Sequence, residues 1–444
     1  MGSGSSRRHP ARAVAAAFVA VTLVGTVLLM LPVAAEGEGA GFVTALFTAT
    51  GAMCGGLASV DTASYWSPFG EGVVLGLIQV GGLGIMTLAS LLALLVSRRL
   101  GLRMQLTAAE ETSTLGLGDV RRVLAGVLVA TVVIEAVTAV VLTARFATGY
   151  GEPLGHSVYL GVFHAISAFN NAGFALYRDN MIGFATDPVI MVPMMVAMVA
   201  GGLGAPVLLE LGRRLRRRPL RWSLHTKVTL LVYFGLFVLG VLAVVALEWS
   251  RPGTLGPMGV GDKFLVGAFQ SITPRTAGFN SVDISAMQPA TLLVTDILMF
   301  IGAGSASTAG GIKVTTFALL AFVMLAEVRG EPTVHVLGRR LAAQVQRQAL
   351  TVALLGVGVV MAGTVTLLVM TDFGLDAVLF ETTSAFGTVG LSTGITASLP
   401  PAGQLVLVAL MLVGRLGPIT LASALALRDR PRRYELPEER PIVG

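Results

Sequence analysis

Eight apolar runs, each long enough to cross a bilayer, limit what this chain can fold into. They lie at 13–35, 72–97, 121–147, 187–211, 227–249, 290–326, 345–371 and 403–427, and about 20 apolar residues suffice for a spanning helix. Between the members of each successive pair lies a shorter, glycine-rich, half-apolar stretch, at 41–62, 157–179, 262–283 and 375–396. Stretches of that length do not span and read as re-entrant. Composition agrees: 54% of the 444 residues are hydrophobic and 13% are charged, about half the charged share of a soluble domain. So little charge cannot cover a fold that faces water, and the expectation is an all-α integral membrane protein. The first run follows a basic start and has the outline of a signal peptide. It is nevertheless long enough to span and more membrane segments follow, so it reads as a retained first helix.

The basic residues orient the chain. Of 31 Lys and Arg, 24 fall in the groups 7–12, 98–122, 213–227, 329–347 and 428–440. The other seven (Arg145, Arg178, Arg251, Lys263, Arg275, Lys313 and Arg415) lie on the opposite side or within the membrane. By the positive-inside rule both termini and the loops joining one pair to the next are cytoplasmic, and all four re-entrant stretches enter from outside. The net charge of +6 therefore reflects membrane topology and not nucleic-acid binding. The run RRLRRRPLRW at 213–222 reads as a topology determinant at an anionic leaflet, with docking of a cytosolic regulator as the alternative. Cys54 is the only cysteine, and the five histidines are scattered without zinc-ligand spacing, which leaves no intrachain disulfide and no metal cluster.

The four units resemble one another. Each re-entrant stretch ends in a small cluster closing on Gly plus an apolar residue: MCGGL (53–57), NNAGF (170–174), RTAGF (275–279) and GTVGL (387–391). Each following helix carries a glycine-rich patch: QVGGLGIMT (79–87), VAGGLGAPV (199–207), IGAGSASTAGGIK (301–313) and LVGRLGPIT (412–420). The expected architecture is four tandem helix–pore loop–helix repeats around one central pore, over 13–98, 120–218, 225–328 and 345–428, flanked by tails 1–12 and 429–444.

Non-helical backbone at membrane depth persists only where protein buries it or where it lines a water-filled cavity. Four loops entering from one side can converge on an axis and offer backbone carbonyls in place of an ion's hydration shell. The short helix before each loop points its partly negative C-terminus inward, which favours a cation. The candidate filter residues are Cys54, Gly55 and Gly56; Asn171, Ala172 and Gly173; Thr276, Ala277 and Gly278; and Thr388, Val389 and Gly390, with no carboxylate among them. The sixth run is interrupted by GAGSASTAGG (302–311), where each Gly costs about 1 kcal/mol in a helix. Arg415 falls in the middle of the last helix, at about 2.5–3.5 kcal/mol on the insertion scale. It needs a carbonyl or carboxylate, for which the 302–311 loop or a pore helix are candidates. Glu135, Asp296 and Glu381, also at membrane depth, read as structural partners, and the patches at 81–84 and 201–204 as helix-packing contacts.

With these motifs in view, the sequence resembles the Trk/Ktr/HKT superfamily of potassium transporters, from about residue 13 to 427. GLASVDT (56–62), SAFNNAGF (167–174), PRTAGFNSVD (274–283) and SAFGTVGLSTG (384–394) look like that family's four pore loops in order. The chain begins directly with the first pore-unit helix, which places it nearer the bacterial KtrB-type ion-translocating subunit than TrkH-type members. The resemblance implies that Gly56, Gly173, Gly278 and Gly390 are filter glycines whose carbonyls hold K+. Some plant relatives carry Ser at the first position and pass sodium, so Gly56 implies potassium preference; Gly55 departs from the Thr or Val expected there. It further implies a gate from Gly302, Gly304, Ser305, Ser307, Thr308, Gly310, Gly311 and Lys313, with Arg415 as a positive barrier in the path. A homodimer on a cytosolic ring of RCK-type, nucleotide-binding (KtrA-like) subunits is implied too, in the bacterial cytoplasmic membrane. No nucleotide motif occurs in the chain itself, and sodium dependence, known for some relatives, stays open.

Two other classes compete with potassium uptake, besides a sodium or mixed monovalent transporter of the same fold. A secondary transporter with a midplane solute site would place successive re-entrant loops on opposite sides, and these four share a side. A membrane-embedded enzyme would need a catalytic constellation, and no H-E-x-x-H, G-x-S-x-G or carboxylate pair lies at filter depth.

Overall fold

The computed structural model describes residues 10–37, 39–99, 117–216 and 222–426, with side chains over 15–37, 39–87, 123–214 and 222–417. Most of the expected N-terminal tail, the basic loop at 100–116, the centre of the basic run at 217–221 and the C-terminal tail lie outside the described residues.

The helices fall into four groups of like order. The first is α1 (Pro10–Leu29), α2 (Phe42–Cys54) and α3 (Pro68–Arg99). The second is α4 (Leu117–Gly149), α5 (Leu154–Phe169) and α6 (Pro188–Leu203), continued by α7 (Ala205–Arg216). The third is α8 (Leu224–Glu248), α9 (Val260–Ile272), α10 (Pro289–Phe300) and α11 (Val314–Val328). The fourth is α12 (Ala343–Met370), α13 (Leu375–Gly387) and α14 (Pro401–Ala426). Their punctuation repeats as well. Gly41, Gly259 and Gly374 open α2, α9 and α13 in nearly the same extended conformation. Proline begins α3, α6, α10 and α14, where its fixed φ suits a first turn and its missing N–H costs nothing.

Packing closes these groups into a circle. The closing helix of each lies on the short helix of the next: α3 on α5, α6 on α9, α10 on α13, and α14 back on α2. The outward faces are apolar, as lipid requires: Val132, Val137 and Val140 on α4, Leu231, Leu239 and Leu242 on α8, and Leu354, Val365 and Val369 on α12 are all exposed. Only 22% of the apolar window is buried in α4 and α8, and 28% in α12. A water-soluble helix would invert that pattern. This is an all-α, multi-pass membrane protein.

Four described helices are long and apolar enough to cross a membrane unaided: α4, α8, α12 and the segment Pro68–Thr87 of α3. The run at 187–211, expected as one straight span, is instead bent by 108° between α6 and α7. The bend sits at Gly204, with φ of 87°. A Cβ there would strike the Ser305 carbonyl, and Ala205 N–H donates to the Ala306 carbonyl at 3.0 Å, so the bend is seated against the 302–311 loop. The sixth run breaks between α10 and α11 as its composition anticipates. A two-stranded hairpin, β1 (His335–Val336) and β2 (Arg339–Arg340), turns through Leu337 and Gly338 at positive φ, and no sequence signal pointed to it.

Candidate ion pathway

Each short helix ends by turning sharply. Gly56 N–H reaches back to the Gly51 carbonyl (2.8 Å), Ala172 N–H to Ser167 (2.9 Å), Val389 N–H to Ser384 (2.9 Å) and Gly278 N–H to Thr273 (3.3 Å). These bonds satisfy the orphan carbonyls of a helix C-terminus. Beyond them the backbone alternates in the sign of φ, which is positive at every second residue: 53° and 76° at Asn171 and Gly173, 75° and 73° at Thr276 and Gly278, and 51° and 97° at Thr388 and Gly390. Such alternation turns successive carbonyls toward one side. Holding a non-glycine residue in the left-handed region costs on the order of 1–3 kcal/mol, which surrounding structure must offset. Among the described residues, the carbonyls of Thr276, Ala277, Gly278, Thr388, Val389 and Gly390 accept no hydrogen bond. The Gly173 carbonyl differs from the expectation, since the Asn180 side chain donates to it at 3.2 Å.

The strands meet. A Cβ on Gly173 would lie 2.7 Å from Gly278 Cα; on Gly278 it would strike the Val389 carbonyl and come within 3.3 Å of Gly390 Cα; on Gly390 it would lie 3.0 Å from the Gly56 carbonyl oxygen. Four segments distant in sequence thus touch at one point. The first strand is one residue out of step with the others. Its left-handed residue is Gly55, at 72°, while a Cβ on Gly56 would meet the Met411 thioether and not the neighbouring strands.

Directly against this junction lies the 302–311 loop, buried from Gly302 to Gly304 and from Ser307 to Gly311. Its backbone borrows partners from the end of α6, with Gly304 N–H donating to the Gly202 carbonyl (2.8 Å) and Thr308 N–H to Gly201 (3.3 Å). Gly310 packs so close to Thr388 that a Cβ would overlap the threonine hydroxyl. Ser307 Oγ donates to the Gly304 carbonyl (2.6 Å), and the hydroxyls of Ser305 and Thr315 lie 2.8 Å apart. Oriented to satisfy all its neighbours, the Asn171 amide donates to the Met198 carbonyl (3.2 Å) and accepts from Gly202 N–H (3.1 Å) and the Thr308 hydroxyl (2.9 Å). Arg415 is 2% exposed and donates from Nη1 to the Thr308 carbonyl, one of the two partners its sequence position called for. Lys313 donates from Nζ to the carbonyls of Ala309 (2.5 Å) and Gly310 (3.0 Å). Two cations and a chain of hydrogen bonds therefore hold the loop beneath the strand junction.

The profile of the TrkH family, described as cation transport protein, matches residues 5–430. The chain belongs to the TrkH family. It is 38% identical over 425 residues to the Ktr system potassium uptake protein B of Bacillus subtilis, covering 96% of this chain and 94% of that one. It is 34% identical over 447 residues to the potassium/sodium uptake protein NtpJ of Enterococcus hirae, covering 99% and 98%. Among solved structures, the potassium transporter TrkH from Vibrio parahaemolyticus superimposes with a TM-score of 0.73 at 15% identity, over 95% of this chain and 86% of that one, which shows a shared fold. These relatives are named as transport proteins and not as enzymes.

In this TrkH-family chain the glycine patches do more than pack helix on helix. A Cβ on Gly81 would strike the Met53 carbonyl, on Gly201 the Phe169 carbonyl, and on Gly414 the Phe386 carbonyl. Three closing helices thus rest, at the same point of their repeats, on the last turn of a short helix. We expect Gly201→Leu, which overpacks that contact, to lower stability by about 1–3 kcal/mol, measured as a fall in the thermal transition of detergent-purified protein; an unchanged transition would remove the close approach as a constraint.

The intramembrane carboxylates divide. Glu135 accepts from Gln79 (3.2 Å) and Asn170 (3.1 Å), tying α3, α4 and the end of α5 together. Glu381 accepts from Ser392 (2.5 Å), Thr396 (2.7 Å) and the Thr393 N–H (3.0 Å), bracing the loop after the fourth strand. Both are structural partners, as expected. Asp296 Oδ1 has no donor among the described residues, so that role is not evident for it. Sequence reading overlooked Asn171 as a link to the 302–311 loop, and Arg275; the signal for the latter was a charge directly beside a cluster of small residues.

Proposed function

We propose that this chain takes up potassium across the bacterial cytoplasmic membrane through a single-chain pore. Four repeats, at 13–98, 120–218, 225–328 and 345–428, surround it and contribute eight spanning segments and four re-entrant loops, with both termini cytoplasmic. The filter is built from residues 54–56, 171–173, 276–278 and 388–390, and K+ is held by its backbone carbonyls. The 302–311 loop closes the path below, with Lys313 and Arg415 as its anchors and as positive barriers. The chain works as a homodimer on a cytosolic RCK-type nucleotide-binding ring and binds no nucleotide itself. The observation that carries this reading is the convergence of four short-helix ends, with Gly173, Gly278 and Gly390 in left-handed conformation and in mutual contact. Carbonyls at helix C-termini suit a cation without a carboxylate ring.

The test is growth at limiting potassium of a bacterium lacking its own uptake systems, expressing this chain with and without a cognate regulator. Rescue by the native chain, lost in Gly278→Ser, is the expected outcome. Failure with confirmed membrane expression and the regulator present would overturn potassium uptake. A sodium or mixed-cation reading would then take its place, for which Gly55 and the out-of-step first strand are the specific observation.

A further inference from the structure

Arg275 precedes the third strand and has no counterpart in the other three. The corresponding position holds Met53 in the first cluster, Asn170 in the second and Gly387 in the fourth. Its guanidinium is 1% exposed. Nη1 donates to the Tyr233 carbonyl at 2.6 Å, and the group lies 4.0 Å from the centre of the Tyr233 ring and 5.9 Å from that of Phe237. Nε and Nη2 have no partner, and no carboxylate pairs with it among the described residues. Burying a cation in this state is costly, and an apolar side chain of similar volume would fill the space at lower cost. The compensation on hand is the partly negative C-terminal end of α9, to which Arg275 is attached through its N–H bond to the Ile272 carbonyl (3.0 Å). That is the same helix end whose field favours a cation on the axis.

We infer that Arg275 is a specificity-determining residue, a fixed positive charge behind the third filter strand that excludes divalent cations in favour of monovalent ones. The inference rests on the proposed filter. A charge that offsets one helix dipole weakens the site for any cation, and the Coulomb energy doubles when the valence doubles. A filter that releases K+ readily therefore becomes a poor host for Ba2+, a divalent ion of similar size. Position, stacking and the missing carboxylate all serve that end: the guanidinium is held by a ring and a carbonyl of α8, so it acts through its field and not by contact with the ion.

The test measures radioactive rubidium uptake by the full chain in proteoliposomes, reading the half-saturating K+ and half-inhibiting Ba2+ concentrations. In Arg275→Gln both should fall, and because the energies scale with valence, roughly threefold for K+ implies roughly ninefold for Ba2+. Arg275→Lys, which keeps the charge, should leave both near their native values. Phe237→Glu retains the guanidinium and places a neutralising carboxylate beside it; it should reproduce the Arg275→Gln result and answers the question if the latter does not fold. Equal shifts for the two ions, or a Lys variant behaving as Gln does, would show that Arg275 only positions the strand. Either result would leave the filter reading intact so long as Gly278→Ser alters K+ over Na+ discrimination; if that variant discriminates normally, the filter assignment itself fails.

Discussion

Gly278→Ser is expected to lower K+ over Na+ discrimination by about tenfold or more, a loss of about 1.4 kcal/mol between the two ions. Gly278 has φ of 73°, a region where a side chain adds on the order of 1–2 kcal/mol of backbone strain. Space is the second obstacle. The new Cβ would strike the Val389 carbonyl and lie 3.0 Å from Gly173 Cα and 3.3 Å from Gly390 Cα, so three strands must shift together. Discrimination by carbonyls depends on their number and placement, and moving three strands alters both. The measurement is competition of Na+ against K+ for uptake in proteoliposomes, with Gly278→Ala as a control that adds the Cβ alone. Unchanged discrimination in both variants would count against the filter assignment.

Gly56 invites the same substitution on sequence grounds and has a different structural setting. Its φ lies outside the left-handed region, and the atom a Cβ would meet is Met411 Sδ, at 2.5 Å. A thioether at the end of an unbranched chain moves readily, so Ser at 56 should cost less than Ser at 278. The four glycines proposed for the filter form one set in sequence, whereas in three dimensions they form three of a kind and one exception. The cause is local: α2 is followed by a single left-handed residue, Gly55, which falls between the two positions that are left-handed in each of the other aligned clusters. The doublet GG at 55–56 does not reveal which glycine will take that conformation.

The same contrast runs through the fold. Hydropathy marked the long segments because lipid demands apolar length of each one separately. The break at 302–311 was legible because four glycines in ten residues disfavour a helix locally. The bend at Gly204 was harder to read: Pro206, which cannot donate to the Gly202 carbonyl, is a break signal in VAGGLGAPV, whereas the Ser305 and Ala306 carbonyls against which the turn is seated lie a hundred residues away. The need of Arg415 for a carbonyl followed from its depth in the membrane, while the choice of Thr308 required the fold. Arg275 was counted among the basic residues outside the cytoplasmic groups, and its burial depends on Tyr233, on a different helix.

Deleting residues 303–310 is expected to raise flux several-fold. The ends of the loop lie close together, because Ile301 and Ile312 form a parallel bridge and a Cβ on Gly302 would lie 3.1 Å from the Ile312 carbonyl. Because parallel segments are not joined by a two-residue turn, linking Gly302 to Gly311 requires the start of α11 to re-orient, which the conformational freedom of the two glycines favours. What is lost is the material against the strand junction: the Thr308 carbonyl that receives Arg415, the Ala309 and Gly310 carbonyls that receive Lys313 (2.5 and 3.0 Å), and the bonds to Gly201 and Gly202. Two opposing effects decide the outcome. Removing the obstruction opens the path, while Arg415 and Lys313 lose their carbonyls, and a buried charge left unpaired costs several kcal/mol. If the loop is a gate, the path it vacates fills with water and rehydrates both cations, so the protein stays folded and conducts faster. If instead the loop is a structural plug, no water enters and the unpaired charges destabilise the membrane domain. Uptake by proteoliposomes, read beside the thermal transition of the same preparation, separates these cases: faster uptake with a retained transition supports the gate, and slower uptake by a folded protein removes it.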